Sequence, residues 1–181
     1  MTEAEIAIDA STAAIEGSDE STEAPRLPLP EAQMQLTGLL QGESDFVANA
    51  ANTSAFLNDL LPNINWVGFY ILRDQELVLG PFQGRTACVR IPVGRGVCGT
   101  CVATGKTQLV DDVHSFPGHI ACDIRSRSEL VVPVEDATGR IVAVLDIDSP
   151  RPARFSVDDQ EYVEALVKVF CDNQFQRESL N

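Results

Sequence analysis

The sequence predicts an α+β domain, with helices packed on a mostly antiparallel sheet. Two observations carry this: apolar residues recur at three-to-four spacing near both ends of the chain, and two hairpin signals lie between them. The first helix begins at Glu31 and uses Leu36, Leu39 and Leu40. A second uses Phe46, Val47, Ala50, Ala51, Phe56, Leu57, Leu60 and Leu61 and stops at Pro62 and Asn63. INWVGFYIL and RDQELVLG form a hairpin turning at Asp74 and Gln75, and Thr86 to Pro92 is a third strand.

Glycines in VGRGVCGTCVATGK mark a tight turn into a short helix, Val97 to Thr104, closed by Gly105, and TQLV follows as an edge strand. Asp111 to Ser128 lacks periodicity and holds Pro117, Gly118 and both histidines, so it reads as a long irregular loop of the kind that tends to carry function. SELVVPVEDATGRIVAVLDIDS is a second hairpin about Thr138 and Gly139. In the closing helix, Ser156 caps with Asp159, and Tyr162, Val163, Leu166, Val167 and Phe170 form the apolar face.

A chain of 181 residues supports one core. Residues 1–30 are rich in acids, Ser, Thr and Ala and end in APRLPLP. They read as a disordered tail whose apolar patches, Ile6 with Ile8 and Leu27 with Leu29, are able to dock; residues 31–181 form the domain. Acids outnumber bases 27 to 13, and a formal charge of −14 repels phosphate backbones and anionic lipid surfaces, so neither nucleic acid nor membrane is an expected partner. The first residues lack a basic segment followed by an apolar one, and a cytoplasmic location is expected.

Five cysteines, at 88, 98, 101, 122 and 171, are an odd number with no export signal, which argues for thiol chemistry over structural disulfides. Cys171 lies on the apolar side of the last helix and reads as a small buried hydrophobe. Cys122 follows a Pro-Gly-His loop, with Arg125 and Arg127 near enough to favour a thiolate. Cys98 and Cys101 form a C-x-x-C at a helix start, where backbone amides lower a thiol's pKa. Convergence of Cys88, Cys98, Cys101 and Cys122 on zinc lacks the paired spacing of a zinc ribbon, and no metal is expected. His114 and His119 are candidate partners for Cys122, without a third orienting group. Glu129, Asp146 and Asp148 sit at or within apolar runs, where an unpaired charge is costly. Asp146 and Asp148 share one strand face, as do Trp66 and Tyr70.

NWVGFYIL, LGPFQGRTACVRIPVGRGVCGT, DVHSFPGHIACD, SxSELVVPV and AVLDIDS together resemble the free methionine-R-sulfoxide reductases, a family of catalytic GAF domains, over roughly Leu36 to Phe170. The resemblance implies a GAF-like antiparallel sheet flanked by helices and thiol-dependent reduction of free methionine-R-sulfoxide, without metal or flavin. It implies Cys122 as nucleophile and Cys88 as first resolving thiol, with Cys98 as an alternative or second resolver. It further implies that the disulfide is recycled by a thioredoxin-like reductant and that the protein is a homodimer. Trp66 and Tyr70 would wall the substrate methyl group. Of the acids, Glu129 or Asp148 would protonate the sulfoxide oxygen, and the others of Glu129, Asp146 and Asp148 would bind the ammonium. Cys101 departs from the family pattern, which has a small non-thiol residue there. The reading from a different class is a non-catalytic GAF module that binds a small ligand as a sensor.

Overall fold

The computed structural model describes residues 26–118 and 123–175. The elements follow the order α1 (Leu29–Leu40), α2 (Phe46–Leu60), β1 (Trp66–Arg73), β2 (Glu76–Gly84), β3 (Arg90–Pro92), α3 (Gly96–Thr104), β4 (Gln108–Val110), β5 (Ser128–Glu135), β6 (Ile141–Ser149) and α4 (Val157–Phe175). The six described strands form one antiparallel sheet in the order β3-β2-β1-β6-β5-β4. This is the expected α+β architecture, an antiparallel sheet flanked by helices. Strands β1, β2 and β3 pair in sequence order, as do β4, β5 and β6, and one long-range pairing, β1 with β6, joins the two halves at the centre.

Each face of the sheet has its own core, because successive residues of a strand point to opposite sides. One face presents Val67 and Phe69 of β1, Leu130, Val132 and Val134 of β5, and Leu145 and Ile147 of β6 to α1, α2 and α4. Phe69, Phe46 and Phe170 meet there: the Phe170 ring centroid lies 4.9 Å from that of Phe69 and 5.6 Å from that of Phe46. The other face presents Trp66, Tyr70, Val131 and Val144 to a smaller apolar cluster with Leu77, Ile91, Val97, Cys98 and Cys101, roofed by α3.

The helix ends follow local chemistry. Asp45 caps α2 by accepting from the Ala48 amide, and Ser156 and Asp159 bond reciprocally at the start of α4. Gly105 closes α3 in the left-handed region at φ 65°, its amide bonding the Cys101 carbonyl. Helix α1 starts at Leu29, two residues before the expected Glu31, because Pro28 at its N-cap accepts the Glu31 and Ala32 amides. Just ahead of it, Arg26 lies 3.8 Å over the Tyr162 ring and pairs with Asp159, and the Tyr162 hydroxyl donates to the Leu27 carbonyl at 2.8 Å. Leu27 thus docks on α4, whereas Ile6 and Ile8 lie outside the described residues. Strand β3 is shorter than the expected Thr86–Pro92, and Cys88 falls in the connection that precedes it. The loop expected from 111 to 128 contains a 3₁₀ turn, Val113–Ser115, capped by Asp112. No helix among the described residues is long and apolar enough to cross a membrane.

Phe170 is fully buried at the junction of two helices and the sheet. Phe170→Ala is expected to lower unfolding free energy by about 3–5 kcal/mol in urea titrations, with retained secondary structure in the native baseline.

Candidate active site

The second face of the sheet is apolar at one end and acidic at the other, and the strand register makes it so. Trp66 pairs with Asp148 across β1 and β6, and Asp148 pairs with Glu129 across β6 and β5. In the next same-face row, Gly68 pairs with Asp146, and Asp146 with Val131. The register therefore sets Trp66, Asp148 and Glu129 in one line, with Asp146 one row along.

The aromatic part is a stack of three rings. Trp66 and Tyr70 stack at 5.7 Å between centroids, and Trp66 and Phe82 at 5.2 Å with planes 16° apart. Two glycines make room for the indole. A Cβ on Gly68 would stand 2.8 Å from the Trp66 ring and 2.3 Å from the Phe82 Cβ, and one on Gly84, at φ 135°, would stand 2.5 Å from Trp66 Cδ1. Trp66 Nε1 donates to the Arg85 carbonyl at 3.0 Å, and the Tyr70 hydroxyl donates to the Cys88 carbonyl at 3.0 Å. The wall of the site is thereby tied to the segment bearing Cys88, which is disulfide-bonded, whereas Cys98, Cys101 and Cys171 are free thiols.

The acidic part is buried. Glu129 and Asp146 are 7% and 6% exposed, and Cys98, at 3%, points its thiol at Glu129 with Sγ 3.7 Å from Oε1. Removal from water raises all three carboxyls. Glu129 is held well above the usual range, first by burial and then by the neighbouring Asp146 and Asp148. Asp148 is raised likewise, by burial and then by Asp146 and Asp123. Burial lifts Asp146 to about 6, offset by hydrogen bonds from Cys98 and Glu129. Glu129 therefore keeps its proton to higher pH than Asp146 and donates toward it, so the face sets a proton donor beside a carboxylate anion. One oxygen of that anion, Asp146 Oδ1, is buried without a hydrogen-bond partner among the described residues.

Cys98 differs from the sequence expectation. A thiol at a helix start is lowered by the backbone amides, but here burial, then Asp146 and Glu129, push the Cys98 thiol well up. Cys101 rises to about 12 for the same reasons, and its thiol points at the Val131 carbonyl, 3.8 Å away. Arg125 pairs with Asp123 at 2.6 Å and holds that carboxyl down at about 2. Arg127 stands 3.9 Å from Asp112. Cys122 and His119 lie outside the described residues, and the Cys171 sulfur is half-buried against the larger core, lining a groove on the far side of the sheet.

The structure thus brings Trp66, Tyr70, Cys98, Glu129, Asp146 and Asp148 to one face. Three participants were missed. Phe82 completes the stack, and its signal was the pair Gly80 and Gly84 flanking an aromatic. Asn65 donates to Asp123 at 3.3 Å and to Ser126 at 3.2 Å, and Ser126 bonds Asp148, which ties the end of the loop to the start of β1. Nothing in the local sequence distinguishes Asn65 or Ser126 from ordinary loop polar residues.

Comparison with known proteins agrees with this geometry. The model described as GAF domain matches residues 53–169. The free methionine-R-sulfoxide reductase of Escherichia coli (strain K12) is 56% identical over 129 residues, 71% of this chain and 78% of that one. Its namesake in Saccharomyces cerevisiae is 41% identical over 148 residues, covering 78% and 82%. The X-ray structure of the free methionine-R-sulfoxide reductase from Neisseria meningitidis in complex with its substrate superposes with a TM-score of 0.76 at 46% identity, covering 80% of this chain and 87% of that one.

Asp146 sets a pH signature. Its folded pKa, about 6, exceeds the ordinary 3.8, so the folded chain retains a proton that the unfolded chain releases, and its contribution to stability declines as pH rises from about 4 to about 6. Asp146→Asn removes that decline. Urea midpoints of the variant are expected to gain on those of the wild type across this window; a pH-independent difference would refute a raised Asp146.

Proposed function

The chain belongs to the free methionine-R-sulfoxide reductase family of GAF domains, and we propose that it reduces free methionine-R-sulfoxide to methionine through Cys122. The observation that carries this reading is the buried pair Glu129 and Asp146 on the same sheet face as the Trp66–Tyr70–Phe82 stack. A small zwitterion with an apolar methyl end and a cationic ammonium needs that combination.

In this reading the substrate methyl lies on the aromatic stack, and the ammonium meets Asp146 and Asp148, where Asp146 Oδ1 lacks a partner among the described residues. Glu129 donates its proton to the sulfoxide oxygen while the Cys122 thiolate attacks sulfur. The protonated oxygen passes to the Cys122 sulfur as the methionine sulfur loses its bonds to oxygen and to Cys122, so methionine leaves reduced by two electrons and Cys122 is left oxidised by two as a sulfenic acid. Cys88 then attacks the Cys122 sulfur and expels water, and a thioredoxin-type dithiol reduces the resulting disulfide and becomes a disulfide itself. Three features support Cys88 over Cys98 as resolver: Cys88 is disulfide-bonded, Cys98 is a free thiol, and Cys98 is held as a thiol by burial among acids, which makes it a poor nucleophile. Cys98 instead donates to Glu129 and orients that carboxyl.

The test is NADPH consumption coupled to thioredoxin and its reductase, with the R and S epimers of free methionine sulfoxide and a peptide-bound sulfoxide as substrates. Turnover of the free R epimer alone is expected. Binding without turnover would establish a ligand-binding module instead. In single-turnover experiments Cys122→Ser should release no methionine, and Cys88→Ser one equivalent per chain. Glu129→Gln should lower kcat by about 10²–10⁴ with little change in KM, and wild-type kcat should fall as pH rises through the raised Glu129 pKa. A Glu129→Gln enzyme of unchanged kcat would eliminate Glu129 as the acid.

A further inference from the structure

We infer that Cys98, Glu129 and Asp146 form a binding site for a divalent cation of the zinc class, and that the ion competes with the ligand of the acidic face. The inference rests on the reading above only in taking that ligand to be the substrate's ammonium end.

The Cys98 sulfur and one carboxylate oxygen from each of Glu129 and Asp146 lie within 4.8 Å of one another. The three donors come from α3, β5 and β6, so their approach is set by tertiary packing and not by one flexible loop. Helix α3 is seated closely: a Cβ on Gly99 would stand 2.4 Å from the Pro92 carbonyl, and the Gly94 amide bonds the Gly99 carbonyl at 2.8 Å. Donor bonds of about 2.0–2.3 Å in a tetrahedral zinc site separate ligand atoms by about 3.3–3.7 Å. A contraction of about 1 Å completes the site, within the reach of side-chain rotation.

A second observation points inward. Asp146 Oδ1 is buried with no hydrogen-bond partner among the described residues, and an unsatisfied carboxylate oxygen of this kind gains from any cation that reaches it. The donor set then selects among cations. Mg²⁺ and Ca²⁺ seek six or more oxygens, and an ammonium gains little from sulfur. One thiolate with two carboxylates suits a borderline-soft ion that accepts four ligands, the fourth being water or a substrate group. Coordination releases two protons to solvent, that of the Cys98 thiol and that held by Glu129 toward Asp146, with no oxidation or reduction. Cys101, one helical turn further on, has its thiol against the Val131 carbonyl and is not among the three donors.

The probe is Co²⁺ alone, followed by displacement with Zn²⁺, on the reduced full chain carrying Cys122→Ser, so that Cys122 contributes no sulfur. The expected result is a thiolate-to-cobalt charge-transfer band with tetrahedral ligand-field absorption, saturating at one ion per chain and lost on adding Zn²⁺ or excess free methionine. In that background Cys98→Ser should abolish the band and Asp146→Asn should raise the apparent Kd at least about tenfold, with folding of each variant checked by circular dichroism. Cys101→Ser should leave it unchanged. A band that survives Cys98→Ser, or one lost in Cys101→Ser alone, would overturn the site, as would no binding below millimolar cobalt. Because absorbance reads the metal without turnover, failure of the reductase reading leaves this result interpretable, and failure of the metal site leaves the coupled assay untouched.

Discussion

Alternation along β6 is the constraint on which the rest of the molecule depends. Leu145 and Ile147 face α1, α2 and α4, and between and beyond them Asp146 and Asp148 face the other way. The strand lies at the sheet centre, paired with β1 on one side and β5 on the other. A slip of one residue in either pairing would drive both carboxylates into the helical core and expose the leucine and isoleucine on the opposite side. The larger hydrophobic cluster therefore also aligns the acids. Stability of the helical face and integrity of the functional face come from a single register.

Burying Glu129 and Asp146 and half-burying Asp148 on one face costs free energy, and the local arrangement limits that cost in identifiable ways. Glu129 keeps its proton to higher pH than an exposed carboxyl and donates toward Asp146, Cys98 donates to Glu129, and Ser126 bonds Asp148. Uncharged groups thereby replace most of the charge that burial would penalise. The residual mismatch is Asp146 Oδ1, buried with no hydrogen-bond partner among the described residues.

Most of the fold was legible in the sequence because hydrophobic period reports secondary structure directly. Both hairpins, the short helix before Gly105 and the capped closing helix stand where the pattern puts them. Same-face pairs such as Trp66 with Tyr70 and Asp146 with Asp148 were legible for the same reason, since a strand's period is two residues. The environment of Cys98 was not, because its acidic neighbours arrive from β5 and β6, and their effect with burial outweighs the amides of its own helix. Arg125 pairs in bidentate fashion with Asp123, two residues before it, whereas Cys122, on which the sequence places its field, lies outside the described residues. Phe82, Asn65 and Ser126 join the site through strand pairing and loop closure, which no local pattern encodes.

The chain contains a single tryptophan, and that residue is Trp66, buried in the stack with Tyr70 and Phe82 beside the acidic row. Intrinsic indole emission from this protein is consequently a local signal, reporting on the functional face and silent about the α1–α2–α4 side. Far-ultraviolet circular dichroism weighs the other side, where most of the helix lies. The two spectroscopies are thus assigned to opposite faces of one sheet, and whether they melt together measures how tightly those faces are mechanically joined.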